Sequence, residues 1–325
     1  MIQVRLKKLL ANFTLDVDFE ASAGVTILFG ASGAGKTMTL DCIAGFQRPD
    51  SGRILLDDVL LYDGPANVHL PPQKRHCGYV FQNYALFPHL TLRQNLEFPI
   101  GRLPHLERHR KINDMIGRFK LNEVADRRPD QVSGGQQQRC SIARAMIAEP
   151  KLLLLDEPAR GLDNPLREDL YSIIRQIRSE FQTPVLLVTH DLEECFELAQ
   201  EMLIMHAGKI VQTGTPTDIA NRPANLDVAQ LLGLHNIFRA EILQLDPQRN
   251  SSILRVQDQE IQGRYYPGRL KGDQISACIR HSGVTAQPLL GKLPPNQIPV
   301  KLLRVKQRPH GALLEFEEGF SAETL

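Results

Sequence analysis

An α/β fold, with a helix-covered parallel sheet closed by one antiparallel hairpin and followed by a small all-β domain, is the architecture this sequence predicts. Three observations carry that prediction. Short apolar runs alternate with longer helical patterns up to about residue 233, a glycine-rich loop stands between one such run and a helix at 30–37, and the texture changes to short, partly alternating runs after Gly233. At 325 residues the chain exceeds the usual size of one domain, so a cassette over 1–233 and a β domain over 234–325 are expected. With 38 Lys plus Arg against 37 Asp plus Glu, the formal charge of +1 gives no bias towards nucleic acid or an anionic membrane. The apolar runs are a few residues long where a spanning helix needs about 20, so the chain is expected to cross no bilayer by itself. Its start lacks the pattern of a secretory signal, which points to the cytosol. The five scattered cysteines form no Cys-x-x-Cys pair and read as reduced packing residues.

Taken in order, the apolar runs at 25–29, 77–81, 152–155, 185–188 and 202–205 read as core strands, and 202–211 as a hairpin turning at His206-Ala207-Gly208. Between Asn95 and Asp130 the spacing of Leu106, Ile112, Met115, Ile116, Phe119 and Leu121 among basic residues is helical, which predicts a helical subdomain over about 95–148. Asn221-Arg222-Pro223-Ala224-Asn225 is a plausible break. Beyond it, the runs at 240–245, 253–256, 275–279, 300–305 and 313–316 suit a small barrel or sandwich. A weak echo between 239–258 and 300–317 suggests a duplicated β unit whose second copy is cut short at Leu325.

The chemistry concentrates in a few motifs. Gly30-Ala31-Ser32-Gly33-Ala34-Gly35-Lys36-Thr37 fits a phosphate-binding loop, in which glycines turn backbone N–H groups inward, Lys36 adds a point charge and the Thr37 hydroxyl can bind Mg²⁺. Met38 stands where many such loops have a second hydroxyl, so the α-phosphate contact is weaker or falls to Thr39. Leu152-Leu153-Leu154-Leu155-Asp156-Glu157 is an apolar strand ending in two acids, of which Asp156 can hold Mg²⁺ through water and Glu157 can polarise an attacking water. Ser133-Gly134-Gly135-Gln136, at a helix start, is either a second anion site or an ordinary N-cap. Two phosphate sites in one chain suggest a dimer in which each copy completes the other's site. His190, delivered by the strand at 185–188, is either structural or a γ-phosphate sensor, and Gln82 at another strand end can reach Mg²⁺ or the water.

These motifs, in this order, resemble the ATP-binding cassette of ABC transporters over about residues 1–233. In that resemblance 30–37 is Walker A, Leu152 to Glu157 is Walker B, Ser133 to Gln136 is the signature motif, Gln82 the Q-loop and His190 the switch histidine. It implies a head-to-tail dimer with two ATP, each between Walker A of one copy and the signature motif of the other. It also implies a place on the cytoplasmic face of the inner membrane, docked on transmembrane permease subunits and served indirectly by a solute-binding protein, with no role in nucleic-acid binding. Ser133 and Gly135 would act across the dimer. The common Ser-Ala-Leu-Asp is replaced here by Arg160-Gly161-Leu162-Asp163. Phe13 is the candidate for stacking on adenine and reads equally as a core residue. Within the family the likeness is greatest to molybdate importer ATPases, carried by 28–37, Pro72-Gln73-Lys74-Arg75, 78–89 and the β extension, which in such relatives is a small oligonucleotide/oligosaccharide-binding-like domain. Sulfate, iron and polyamine importers share much of this, and a non-transport cassette ATPase is the remaining alternative.

Overall fold

A computed structural model describes residues 1–289, 296–308 and 311–324. Contacts divide the chain into two compact units, Met1–Ile219 and Ala220–Leu325. The first opens with β1 (Ile2–Leu10) and β2 (Phe13–Ala21), an antiparallel pair whose inward positions alternate strictly: Ile2, Val4 and Leu6 on one strand, Leu15, Val17 and Phe19 on the other. β3 (Val25–Phe29) is buried at every position, as a strand covered on both faces must be, and leads into α1 (Lys36–Ala44). β4 (Ser51–Leu56), β5 (Val59–Asp63) and β6 (Val68–His69) join the opening pair in a sheet of order β2-β1-β4-β5-β6. The sequence expectation of a sheet closed by one hairpin holds for the strands that follow, but a second, wholly antiparallel sheet that it did not include precedes and interrupts that sheet, with β1 paired to β2 and, across the intervening β3 and α1, to β4.

The sheet that holds β3 continues through β7 (Cys77–Val80), then three helices outside it: α2 (Leu92–Glu97), α3 (His105–Arg118) and α4 (Gly134–Met146). It resumes with β8 (Leu152–Asp156), α5 (Asn164–Gln176), β9 (Val185–Thr189), α6 (Leu192–Leu198), β10 (Glu201–His206) and β11 (Lys209–Gly214). The order is β11-β10-β3-β9-β8-β7, parallel except for β11, so the predicted strands and closing hairpin all lie in one mixed sheet. One core joins both sheets and α1, with Val4, Val17 and Ile54 from the antiparallel sheet and Leu154, Leu186 and Leu203 from the mixed one around Leu40 and Ile43. Helix α1 and the loop before it are thus held rigidly by apolar burial. α7 (Pro216–Asn221) follows at the boundary.

The second unit contains α8 (Leu226–Leu232) and a sheet of β12 (His235–Asp246), β13 (Ser251–Val256), β14 (Gln259–Arg264) and β15 (Gln274–Arg280) in the order β14-β13-β12-β15. A separate three-stranded sheet holds β16 (Leu302–Arg308), β17 (Gly311–Phe316) and β18 (Ser321–Thr324). All pairs are antiparallel. The core of the larger sheet is Ala240, Ile242, Leu254, Val256, Ile275 and Ala277. Buried Asn236 ties the two sheets, its amide donating to Ser321 O and accepting from Ser321 N, both at 2.6 Å. Both stretches of the sequence echo fold as hairpins, β12–β13 and β16–β17; residues 309, 310 and 325 lie outside the described residues.

Candidate nucleotide-hydrolysis site

The loop 30–37 runs from the end of β3 into α1. Its bends need glycine at two points: Gly33 (φ 80°) and Gly35 (φ 105°), the latter at the helix N-cap, lie in the left-handed region. Lys36 is buried and its Nζ donates to Gly30 O at 2.8 Å and Ala31 O at 3.0 Å, so the loop closes around its own lysine. Burial pushes the lysine pKa down, and the nearby carboxylates of Glu157 and Asp156 oppose that shift. Thr37 Oγ1 donates to Asp156 Oδ1 at 3.0 Å, joining residues 119 positions apart across neighbouring elements. Burial raises the Asp156 pKa, against which the Thr37 hydroxyl acts. The Thr39 hydroxyl donates to Gly35 O at 3.0 Å, within the loop, while Met38 packs against the core. Ala31, Ser32 and Ala34 complete the loop, and Ala34 N donates to Ala31 O at 3.2 Å.

Glu157 sits just past β8 in a left-handed conformation (φ 45°) that a non-glycine residue rarely adopts. Its N–H donates to Val188 O of β9 at 2.9 Å, which fixes the backbone and directs the largely buried side chain to the sheet edge. There Oε1 lies 3.2 Å from His190 Nδ1 and Oε2 accepts from Arg160 Nη1 at 3.1 Å. The Gln82 amide lies 3.5 Å from Oε2, and with its oxygen turned to the guanidinium it accepts from Arg160 Nε at 3.0 Å and also from Nη1. Glu157, His190 and Gln82, distant in sequence, therefore converge beside Thr37 and Asp156 because parallel strands β7, β8 and β9 all end at one edge.

Ser133 is the N-cap of α4: its hydroxyl accepts from Gln136 N at 3.4 Å, and Gln136 reciprocates by accepting from Ser133 N at 3.0 Å. A Cβ on Gly135 would come within 2.6 Å of Leu166 Cδ2, so that side chain would have to shift to admit one. Among the described residues no hydrogen bond joins Ser133 or Gly135 to the loop 30–37 of the same chain. Phe13 opens β2 and reaches the loop directly, its Cζ standing 3.0 Å from where a Cβ on Gly35 would be.

Some residues that organise the site were not apparent from the motifs. Gln82 continues into a turn with Tyr84 and Ala85 at φ 60° and 47°, and that turn is held by Ser141 Oγ and Arg144 Nη2, both donating to Tyr84 O, at 2.8 and 3.3 Å. Gln138 Nε2 donates to Pro158 O at 2.5 Å, tying the same helix to the segment after β8. Gln138, Ser141 and Arg144 recur every third residue, a polar stripe within a buried helix that could have signalled this role. The β10–β11 turn reaches the loop too, with Gly208 N donating to Ala34 O at 3.1 Å.

A phosphate-binding loop, an acid pair and a strand-end histidine on this mixed sheet, with a second helix start capped by Ser133 and opening on two glycines, define a P-loop nucleotide hydrolase of the ATP-binding-cassette class. The comparisons agree. A family model described as ABC transporter matches residues 14–160. The chain is 39% identical over 254 residues to the molybdenum import ATP-binding protein of Rhodospirillum rubrum, covering 78% of this chain and 69% of that one. It is 38% identical over 237 residues to the molybdate/tungstate import ATP-binding protein of Archaeoglobus fulgidus, covering 73% of this chain and 96% of the relative. Spermidine/putrescine and sulfate/thiosulfate import ATP-binding proteins, from Vibrio cholerae and Thermosynechococcus vestitus, match at 38%. Among solved structures, a dimeric ATP-binding cassette bound to ADP and Pi in a post-hydrolysis state is 25% identical with a TM-score of 0.56, covering 66% of this chain and 99% of that one. This chain belongs to the family of ABC transporter ATP-binding proteins, and it binds ATP through its cassette.

Proposed function

We propose that the chain is the ATP-hydrolysing subunit of an ABC importer whose solute is molybdate. The observation that carries the hydrolytic half is the convergence of Glu157, His190 and Gln82 on one strand edge beside Lys36, Thr37 and Asp156. Lys36 and the amides of 30–37 bind the phosphates, Lys36 exchanging the carbonyls of Gly30 and Ala31 for phosphate oxygens. Glu157 accepts the proton of the attacking water, and Gln82 orients that water. His190, engaged through Nδ1, offers Nε2 to the γ-phosphate. Thr37 Oγ1 and Asp156 Oδ1 are adjacent oxygen donors of the hard type that suits Mg²⁺, and with Gln82 they would hold it. When bound, that ion neutralises charge developing on the phosphate oxygens. Phe13, beside Gly35, stacks on adenine.

The second half of the site comes from a second copy packed head to tail, whose Ser133 and Gly135 complete the site over the bound nucleotide. The pair works on transmembrane permease subunits at the cytoplasmic face of the cell membrane, fed by a solute-binding protein. Among the described residues no helix is long and apolar enough to cross a membrane, so translocation in this reading belongs to other chains. The molybdate assignment rests on the relatives of Rhodospirillum and Archaeoglobus. It is tested with the complex of this chain and its permease in vesicles: molybdate and tungstate, presented with the solute-binding protein, should stimulate ATP hydrolysis several-fold. Stimulation by sulfate or spermidine instead would reassign the solute and leave the ATPase reading standing.

A further inference from the structure

The segment after the acid pair departs from the family pattern at Arg160-Gly161, and that departure lands in the site. Residues 157–160 form a tight turn in which Arg160 N donates to Glu157 O at 3.1 Å, which brings the side chains of positions i and i+3 together. The Arg160 guanidinium then spans two functional groups. Nη1 donates to Glu157 Oε2 at 3.1 Å, and in the amide orientation that turns the Gln82 oxygen towards the guanidinium, Nε and Nη1 donate to that oxygen as well. With His190 on Oε1, both oxygens of Glu157 have a side-chain partner.

We propose that Arg160 is a positioning residue that latches Glu157 and Gln82 together in the resting chain, holding turnover low until it is displaced. This inference rests on the reading of Glu157 as the base. A carboxylate oxygen committed to a guanidinium is a poor acceptor for a water proton, and Gln82 cannot orient that water while its oxygen is turned to Arg160. The latch is built to open. The Arg160 side chain is 60% exposed against 14% for Glu157, so the arginine is the partner able to leave. Gly161, at φ 76° with nothing within 4 Å of its Cβ position, gives the following backbone room to turn. An ion pair this exposed is weak, so it suits a contact that must yield during each cycle.

The test uses the full chain with Mg²⁺ and ATP. Arg160→Ser should raise kcat by up to about fivefold with KM for ATP unchanged, because phosphate binding by Lys36 is not touched. Arg160→Lys, which keeps one charge but cannot bridge two acceptors in a plane, should fall between. Raising salt from about 0.02 to 0.3 M should increase kcat of the wild-type chain and leave that of Arg160→Ser flat, since screening weakens only the latched form. Glu157→Gln is measured alongside. If it is inactive while Arg160→Ser is unchanged or slower than wild type, the latch is overturned and the base assignment stands. Full activity in Glu157→Gln would overturn the base assignment and the latch with it.

Discussion

Glu194 illustrates at the scale of one residue how the fold sets chemistry that no motif announces. It lies one turn after His190 on α6, is 1% exposed, and its Oε1 has no hydrogen-bond partner. Burial pushes its pKa from 4.5 up to about 7, with Thr189 opposing the shift by a side-chain hydrogen bond. The sign follows from linkage. A carboxyl whose folded pKa is raised favours folding fully below about pH 4.5, where it is protonated in both states, and that contribution is lost as pH rises through about 7. Glu194→Gln cannot ionise, so its melting temperature should exceed that of the wild type by a few degrees more at about pH 8 than at about pH 5. Thermal melts across that range check it; a pH-independent difference would refute it. The phosphate loop, by contrast, was legible in sequence because its eight residues are contiguous and each acts through local geometry. The contacts of Arg160 were not, because they depend on a turn at 157–160 meeting the end of β7 from 75 positions away.

Helix α1 shows the same division among elements. Its start is written in the loop glycines, but its end is held by an arginine outside the helix. Arg75, 1% exposed, donates from Nη1 to Cys42 O and Ile43 O at 2.8 Å each and from Nε to Leu70 O at 2.8 Å. It faces the carbonyl end of the helix, where a cation is favoured and the last carbonyls lack partners. Arg75→Met should leave those acceptors buried and unpaired and cost about 3 kcal/mol, read as a lower urea midpoint. An unchanged midpoint would mean that water replaces the guanidinium at no cost. The strands of the antiparallel sheet were also open to reading, since Leu15, Val17, Phe19 and Ala21 alternate cleanly. Their membership of a separate sheet was not legible, because period alone does not say which strands pair.

At the scale of the whole molecule, the proposed dimer fits the place of Ser133, which caps its own helix and, among the described residues, makes no hydrogen bond to the loop 30–37. Glu157→Gln should therefore nearly abolish turnover while leaving phosphate binding intact, and so trap an ATP-bound dimer. Size-exclusion chromatography with light scattering would see the mass double with ATP in that variant. A monomer at saturating ATP would sink the head-to-tail reading. The sequence by itself determined the motifs, the parallel strands that carry them and the β-rich character of the C-terminal part, because these are encoded in contiguous residues and short periods. Only the tertiary structure decided the separate antiparallel sheet, the tether from Ser141 and Arg144 to the turn after Gln82, and the ion pair of Arg160 with Glu157. Each of those depends on which distant segments lie side by side, and that is fixed by burial and backbone pairing over the whole unit rather than by any local run of residues.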